Sequence, residues 1–315
     1  MRCPWKLTRC LAALLSVSTV AGCDRSGGTT AVTPRTCSVE QATVLPVRFV
    51  QGHILVPGSV NHTPVQLPVD TGASASMLTP DAAAILRLPP DLNRTTTVHG
   101  TGGAVVTRNV LIQSFEVGGN GVLVRSVATG KLGQQYHVDP PVAGLLGVDY
   151  LDDFDIELDV PNHRMALWRL QNCTRDSLTW QVPHFTIPLL LYQPNRLVAH
   201  VRIDGHPVTA LIDWGARATT ITSATATNLG VTPDMLALDR SGTSHGVDQT
   251  EVPFRLHRFG EVSIGAATFR NAPLEVADLR VSDVGMLLGA DYFSPTFATH
   301  PRFREFCYRG APVRY

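Results

Sequence analysis

Apolar residues in this chain fall into short runs, several rich in β-branched side chains and bounded by glycine or proline. Ala104-Val105-Val106-Thr107-Arg108-Asn109-Val110-Leu111-Ile112 predicts a strand. Phe115-Glu116-Val117-Gly118-Gly119-Asn120-Gly121-Val122-Leu123-Val124 predicts a hairpin whose glycines supply the turn, and Glu261 to Phe269 repeats the pattern around Gly265. Helical signals are few. Thr79-Pro80-Asp81 offers a cap and a first-turn proline before Ala82-Ala83-Ala84-Ile85-Leu86. Thr222 to Leu229 occupies the matching place later in the chain but is poorer in helix formers. The 26 glycines and 22 prolines are spread along the chain, which suits many short strands and turns.

The chain contains itself twice. Asn61-His62-Thr63-Pro64-Val65-Gln66-Leu67-Pro68-Val69-Asp70 aligns with Asp204-Gly205-His206-Pro207-Val208-Thr209-Ala210-Leu211-Ile212-Asp213 at an offset of 143. The offset persists through Gly72/Gly215, Ala73/Ala216, Leu78/Ile221, Leu86/Leu229, Pro90/Pro233 and Asp91/Asp234. It becomes 146 at His99-Gly100/His245-Gly246, 147 at Val117-Gly118/Ile264-Gly265, and 142 at Leu145-Leu146-Gly147-Val148-Asp149-Tyr150/Leu287-Leu288-Gly289-Ala290-Asp291-Tyr292. These changes fall between apolar segments, where loops belong. Two homologous, mostly β lobes are expected, at 46–178 and 179–315.

The first 22 residues read as an export signal. Arg2, Lys6 and Arg9 precede an apolar stretch, beginning Leu11-Ala12-Ala13-Leu14-Leu15, that is too short for a comfortable membrane span. Val20-Ala21-Gly22-Cys23 resembles a bacterial lipoprotein signal, which makes Cys23 a lipidated N-terminus. The alternative is an ordinary secretory signal with a chance cysteine. Residues 23–45 read as a flexible tether. The expected location is the bacterial cell envelope, lipid-anchored; Asp24 resembles a signal for retention at the inner membrane facing the periplasm. Cys37, Cys173 and Cys307 remain, enough for at most one disulfide, with no zinc-site spacing. The net charge of zero gives no reason to expect nucleic acid.

Asp70-Thr71-Gly72-Ala73-Ser74 follows a strand-like run ending at Val69. Glycine lets the backbone turn tightly and leaves room for a second segment. One such carboxylate does little. Two brought together by a duplicated fold cannot both ionise easily, so they share a proton, and one then acts as base while the other acts as acid.

These residues, with the later Leu145-Leu146-Gly147 and Leu287-Leu288-Gly289 segments, resemble the retropepsin-like aspartic proteases. The resemblance implies two β-barrel lobes related by a pseudo-twofold with a cleft between them. It implies an aspartic endopeptidase with Asp70 and Asp213 as the catalytic pair, supported by Thr71, Gly72, Ala73, Ser74, Trp214, Gly215 and Ala216. It implies a peptide or protein substrate, no cofactor and no metal, and fused lobes that do not require a dimer. His99-Gly100-Thr101-Gly102-Gly103 stands where the family has its flap, and Gly242 to Gly246 is the second candidate; a plain surface hairpin is the alternative. His99 and His245 lack the partner pattern of metal ligands.

The second lobe departs from the family in Asp213-Trp214-Gly215-Ala216-Arg217. In the family a threonine at the place of Trp214 bonds across to the other lobe. Indole has one donor and cannot repeat that lock, although Thr71 still reaches toward lobe-two backbone. Arg217 near the pair favours ionised carboxylates, or else enters the groove to bind peptide carbonyls or an acidic side chain. A catalytically impaired pseudoprotease, a lipid-anchored peptide-binding protein, is therefore the alternative function.

Overall fold

Two matching turns show how the repeat builds each half. Asn61 and His62 close the hairpin between strands His53–Val60 and Thr63–Pro68 at φ +46° and +63°. Asp204 and Gly205 close the hairpin between Arg196–Ile203 and His206–Ile212 at φ +48° and +81°. Two consecutive left-handed residues are what a two-residue hairpin turn requires, and Asn, Asp and Gly reach that region most cheaply. The first residue of each turn also ties down a distant strand. Asn61 Oδ1 accepts from the backbone of Gln113 at 2.7 Å and of Ser114 at 3.1 Å. Asp204 Oδ1 accepts from Glu261 N at 2.7 Å.

The structure is a computed structural model describing residues 38–122, 126–172, 187–192, 196–247, 249–281, 283–292 and 306–308. The stretch expected to be an export signal, Cys23, Cys37 and Cys173 lie outside these residues.

The fold is mostly β. In lobe one, His53–Val60 pairs with Arg48–Val50, Thr63–Pro68 and Phe115–Val117, and the last pairs with Asn120–Val122. A second sheet runs Gly144–Leu145, Met77–Leu78, Ser126–Thr129, Ala104–Leu111, Pro90–His99. In lobe two the corresponding strands join into one eight-stranded sheet. The reason is local: Glu251–Ile264 and Ala267–Ala277 are long and paired along most of their length. In lobe one the equivalent path is divided at Ile112-Gln113-Ser114, where Asn61 takes the backbone donors.

The helix expected after Thr79 is Pro80–Ile85, with Thr79 Oγ1 accepting from Ala82 N at 3.1 Å. Despite its poorer helix formers, the matching stretch also folds as a helix, Ser223–Asn228, because Thr222 Oγ1 caps Thr225 N at 3.1 Å. The predicted Phe115 hairpin turns on Gly118 and Gly119 at φ +60° and +78°.

Two expected boundaries are corrected. The tether ends before residue 38, not at 45: Ser38–Pro46 is a strand antiparallel to Arg164–Gln171, with Leu45 buried opposite Met165. At the other end, Phe306–Tyr308, assigned by sequence to lobe two, pairs with Asp155–Asp159 of lobe one. Together these four strands form one sheet, so the first and last described strands close on lobe one. An apolar cluster runs without a break through both lobes, from Leu45 and Ile54 through Trp214 to Tyr292.

Candidate active site

The second strand of each turn-closed hairpin leads into an aspartate. Val69 bridges Leu146 in parallel, and Asp70 N donates to Leu146 O at 2.9 Å. In lobe two His206–Ile212 runs parallel to Met286–Leu288, and Asp213 N donates to Leu288 O at 2.9 Å. The chain then turns so that each carboxylate accepts from the backbone ahead of it. Asp70 Oδ1 accepts from Gly72 N at 3.0 Å and Ala73 N at 2.8 Å. Asp213 Oδ1 accepts from Gly215 N at 2.9 Å and Ala216 N at 3.1 Å.

Each loop is anchored from behind by a hydroxyl and a second aspartate. Ser76 N and Oγ each donate to Asp149 Oδ1 at 2.7 Å, and Ser76 Oγ accepts from Gly147 N at 2.9 Å. Thr219 Oγ1 donates to Asp291 Oδ1 at 2.7 Å and accepts from Gly289 N at 2.9 Å. In the sequence, the matching places of Asp149 and Asp291 in the repeat are the available signal for this role. Desolvation raises the half-buried Asp291 carboxyl.

Asp70 and Asp213 come together. A Cβ added at Gly72 would lie 2.6 Å from Asp213 Cγ, and one added at Gly215 would collide with the Asp70 carboxyl. Both glycines are thus required by close approach. The two side chains share a hydrogen bond, and both carboxyls are raised above the ordinary range. Burial is the main cause for each, and the Asp213 charge adds to it at Asp70. The pair therefore holds one proton between two groups and titrates as a unit.

Thr71 joins the lobes. Its Oγ1 donates to Ile212 O at 2.8 Å and accepts from Trp214 N at 3.0 Å. Trp214 turns inward on its side. Its indole is 1% exposed and borders a small cavity together with Thr71, Val148, Leu151, Ile156 and Leu197. Four of those residues belong to lobe one, so an apolar plug stands where the family has a second hydroxyl.

Arg217 does not act on the shared proton as expected. Its guanidinium lies 3.9 Å from Glu275 and its charge falls on His53. The arginine felt at the pair is Arg196, which lowers Asp213 against the effect of burial. Arg196 stands 143 residues after His53, at the repeat offset, a signal the motif reading passed over. Ser74, the counterpart of Arg217, is exposed, while Ala73 and Ala216 carbonyls accept from Val148 N at 2.9 Å and Ala290 N at 2.8 Å.

Three further side chains border the pair. His53 Nδ1 lies 2.7 Å from Gln134 Nε2, and its ring also bonds the backbones of Gln51 and Gly215. Burial lowers it to about 4, so it is neutral and accepts from Gln134. Tyr136 sets its ring edge-on to His53 at 5.7 Å and lies near enough to Asp70 to feel its charge. Burial pushes the Tyr136 phenol up to about 12. Gln134 and Tyr136 are delivered by a loop, and His53 opens the strand His53–Val60.

The two hairpin tips rest on the opposite lobes. Gly100 N donates to Gly103 O at 2.8 Å around Gly102, and Thr101 O accepts from Arg280 N at 2.9 Å. Gly242 lies inside strand Arg240–His245, and only Gly246 of that candidate stretch reaches the tip. There Gln249 Nε2 donates to Leu132 O at 3.3 Å. Val98 and Val247, one from each hairpin, pack with Leu132 against the apolar cluster around Met77 and Leu145.

The family model described as Aspartyl protease matches residues 56–150 and again 199–292. No curated protein matches the chain. A solved structure of a retropepsin-like aspartic protease from Rickettsia conorii is similar at 19% identity and a TM-score of 0.27, over 32% of this chain and 79% of that one. The two family matches together span more than half of the sequence, one on each aspartate loop, and the chain belongs to the aspartyl protease family.

Proposed function

We propose that this protein is an aspartic endopeptidase in which Asp70 and Asp213 act as one catalytic pair. The observation that carries the reading is the hydrogen bond between two raised carboxyls, each held by two backbone N–H groups of its own loop. With one proton on the pair, the ionised carboxylate takes a proton from an attacking water while the protonated partner donates to the scissile carbonyl oxygen. The resulting tetrahedral diol collapses as the C–N bond breaks, and a proton passes to the departing nitrogen. Thr71 and the buried Trp214 keep the two loops in register, which this chemistry needs because a small misplacement is costly. The hairpins tipped by Gly100, Gly102, Gly103 and Gly246 act as flaps over an extended peptide. Export and lipidation at Cys23 would place the activity at a membrane surface in the cell envelope.

Digestion of a peptide library by the chain from residue 24 onward tests the reading. The wild type is expected to release products and Asp70→Asn is expected to reduce the rate by at least about a thousandfold. Peptides bound but never cut between pH 3 and 8 would replace the protease with a peptide-binding pseudoprotease.

A further inference from the structure

Beside the catalytic pair, at the boundary of the two lobes, one arginine is held in place by its stem and left open at its head. The Arg217 side chain crosses Gly52: a Cβ added there would lie 2.5 Å from Arg217 Cγ. Gly52 also has φ +86°, so its backbone and its lack of a side chain both serve this crossing. The next residue is His53, whose ring reaches the Gly215 backbone and Tyr136, and Tyr136 borders Asp70. Arg217 is therefore linked to the pair through His53 and Tyr136 rather than standing on a remote surface.

Its head is under-used. The Arg217 side chain is 59% exposed, and its ion pair is a single long approach of 3.9 Å to Glu275 Oε1. Glu275 already accepts from Thr220 Oγ1 at 3.1 Å and is buried, which raises its carboxyl and weakens it as a counter-ion. His53 is neutral and committed to Gln134 and backbone, so it does not compete as a cation at this corner. A planar guanidinium with a fixed stem and free N–H groups matches a carboxylate in two parallel hydrogen bonds. On the lobe-one loop the equivalent residue is Ser74, which carries no charge.

We infer that Arg217 forms an acid-recognising subsite, so that the preferred substrates are extended peptides with an aspartate or glutamate side chain at one position near the scissile bond. The inference rests on the proposed peptide cleft but not on turnover. Because Ser74 and Arg217 differ, the subsite also fixes which way the peptide lies across the pair.

The test uses the Asp70→Asn chain, which holds peptides uncut, and peptides with acetylated and amidated ends. A single Glu is moved along the peptide and compared with Gln at each place. At one position Glu is expected to bind about tenfold more tightly than Gln. That preference is expected to vanish with Arg217→Gln and to turn into a preference for Lys with Arg217→Glu. An unchanged Glu preference in the Arg217→Gln chain overturns the inference, as does equal binding of Glu and Gln at every position. Tight binding only of peptides with a free C-terminus also overturns it, since the carboxylate read would then be the chain end. Loss of cleavage by the wild-type chain with the Glu preference intact removes the protease reading and leaves the subsite standing.

Discussion

Thr71 and Trp214, equivalent residues of the two lobes, meet at the centre of the molecule, where the Thr71 hydroxyl accepts from the Trp214 backbone at 3.0 Å. The same hydroxyl donates to Ile212 O at 2.8 Å, so one side chain binds both sides of the Asp213 residue. The Thr71 hydrogen bonds are joined by packing from the Trp214 side, where the indole is buried.

Trp214→Thr does not restore a missing lock on this geometry. It empties a fully buried indole site shared by Val148, Leu151, Ile156 and Leu197. A loss of about 3–5 kcal/mol of folding stability is expected, by analogy with large-to-small changes in cores. Denaturant unfolding measures it. A variant at least as stable and more active than wild type would show that packing here matters less than the absent hydroxyl.

Thr71→Val removes the hydroxyl at nearly constant volume and leaves Ile212 O and Trp214 N unpaired in a buried place. A cost of about 1–3 kcal/mol is expected, with a larger proportional loss of kcat than of binding. Thr71→Ser should recover most of both. Equal kcat in the Thr71→Val chain, measured on any cleaved peptide, would contradict the interlock.

Gly72→Ala and Gly215→Ala each place a methyl group against the carboxyl of the opposite lobe. Both chains should fold, since Gly72 and Gly215 themselves are only half-buried, but the two carboxyls must separate. Peptide cleavage should fall by at least about a hundredfold. Circular dichroism and turnover, measured together, separate this outcome from misfolding.

The shared proton gives a pH dependence in both activity and stability. A pair that works with one proton predicts a bell-shaped kcat/KM, falling on acidification as both carboxyls are protonated and on alkalinisation as the shared proton is lost. For stability the sign is set by the raised folded-state pKa of Asp70, against an ordinary value of 3.8. Between the two values the folded chain binds more protons than the unfolded one, so this contribution is complete at low pH and is lost as pH rises. Asp70→Asn abolishes that titration. The melting temperature of the variant relative to wild type should therefore climb between about pH 4 and pH 7, by roughly 3 °C for each kcal/mol relieved. A constant difference across that range would mean that Asp70 is ionised throughout.

The duplication, the strands leading to Asp70 and Asp213, the helix cap at Thr79 and the glycine hairpins were all visible in the sequence. Each depends on residues close together in the chain, or on the chain repeating them at a fixed offset. Local chemistry is enough for these: Asn61 and Asp204 favour the left-handed turn, and Thr79 and Thr222 supply a cap whatever lies around them. The neighbours that alter the aspartate site were not visible, because contact between segments more than fifty residues apart leaves no periodic trace. Only the folded chain places His53 against Gly215, Tyr136 beside Asp70 and the Arg217 stem over Gly52. Only the folded chain turns Trp214 inward, so that a substitution that looked like a broken lock in the sequence is, in three dimensions, an apolar one.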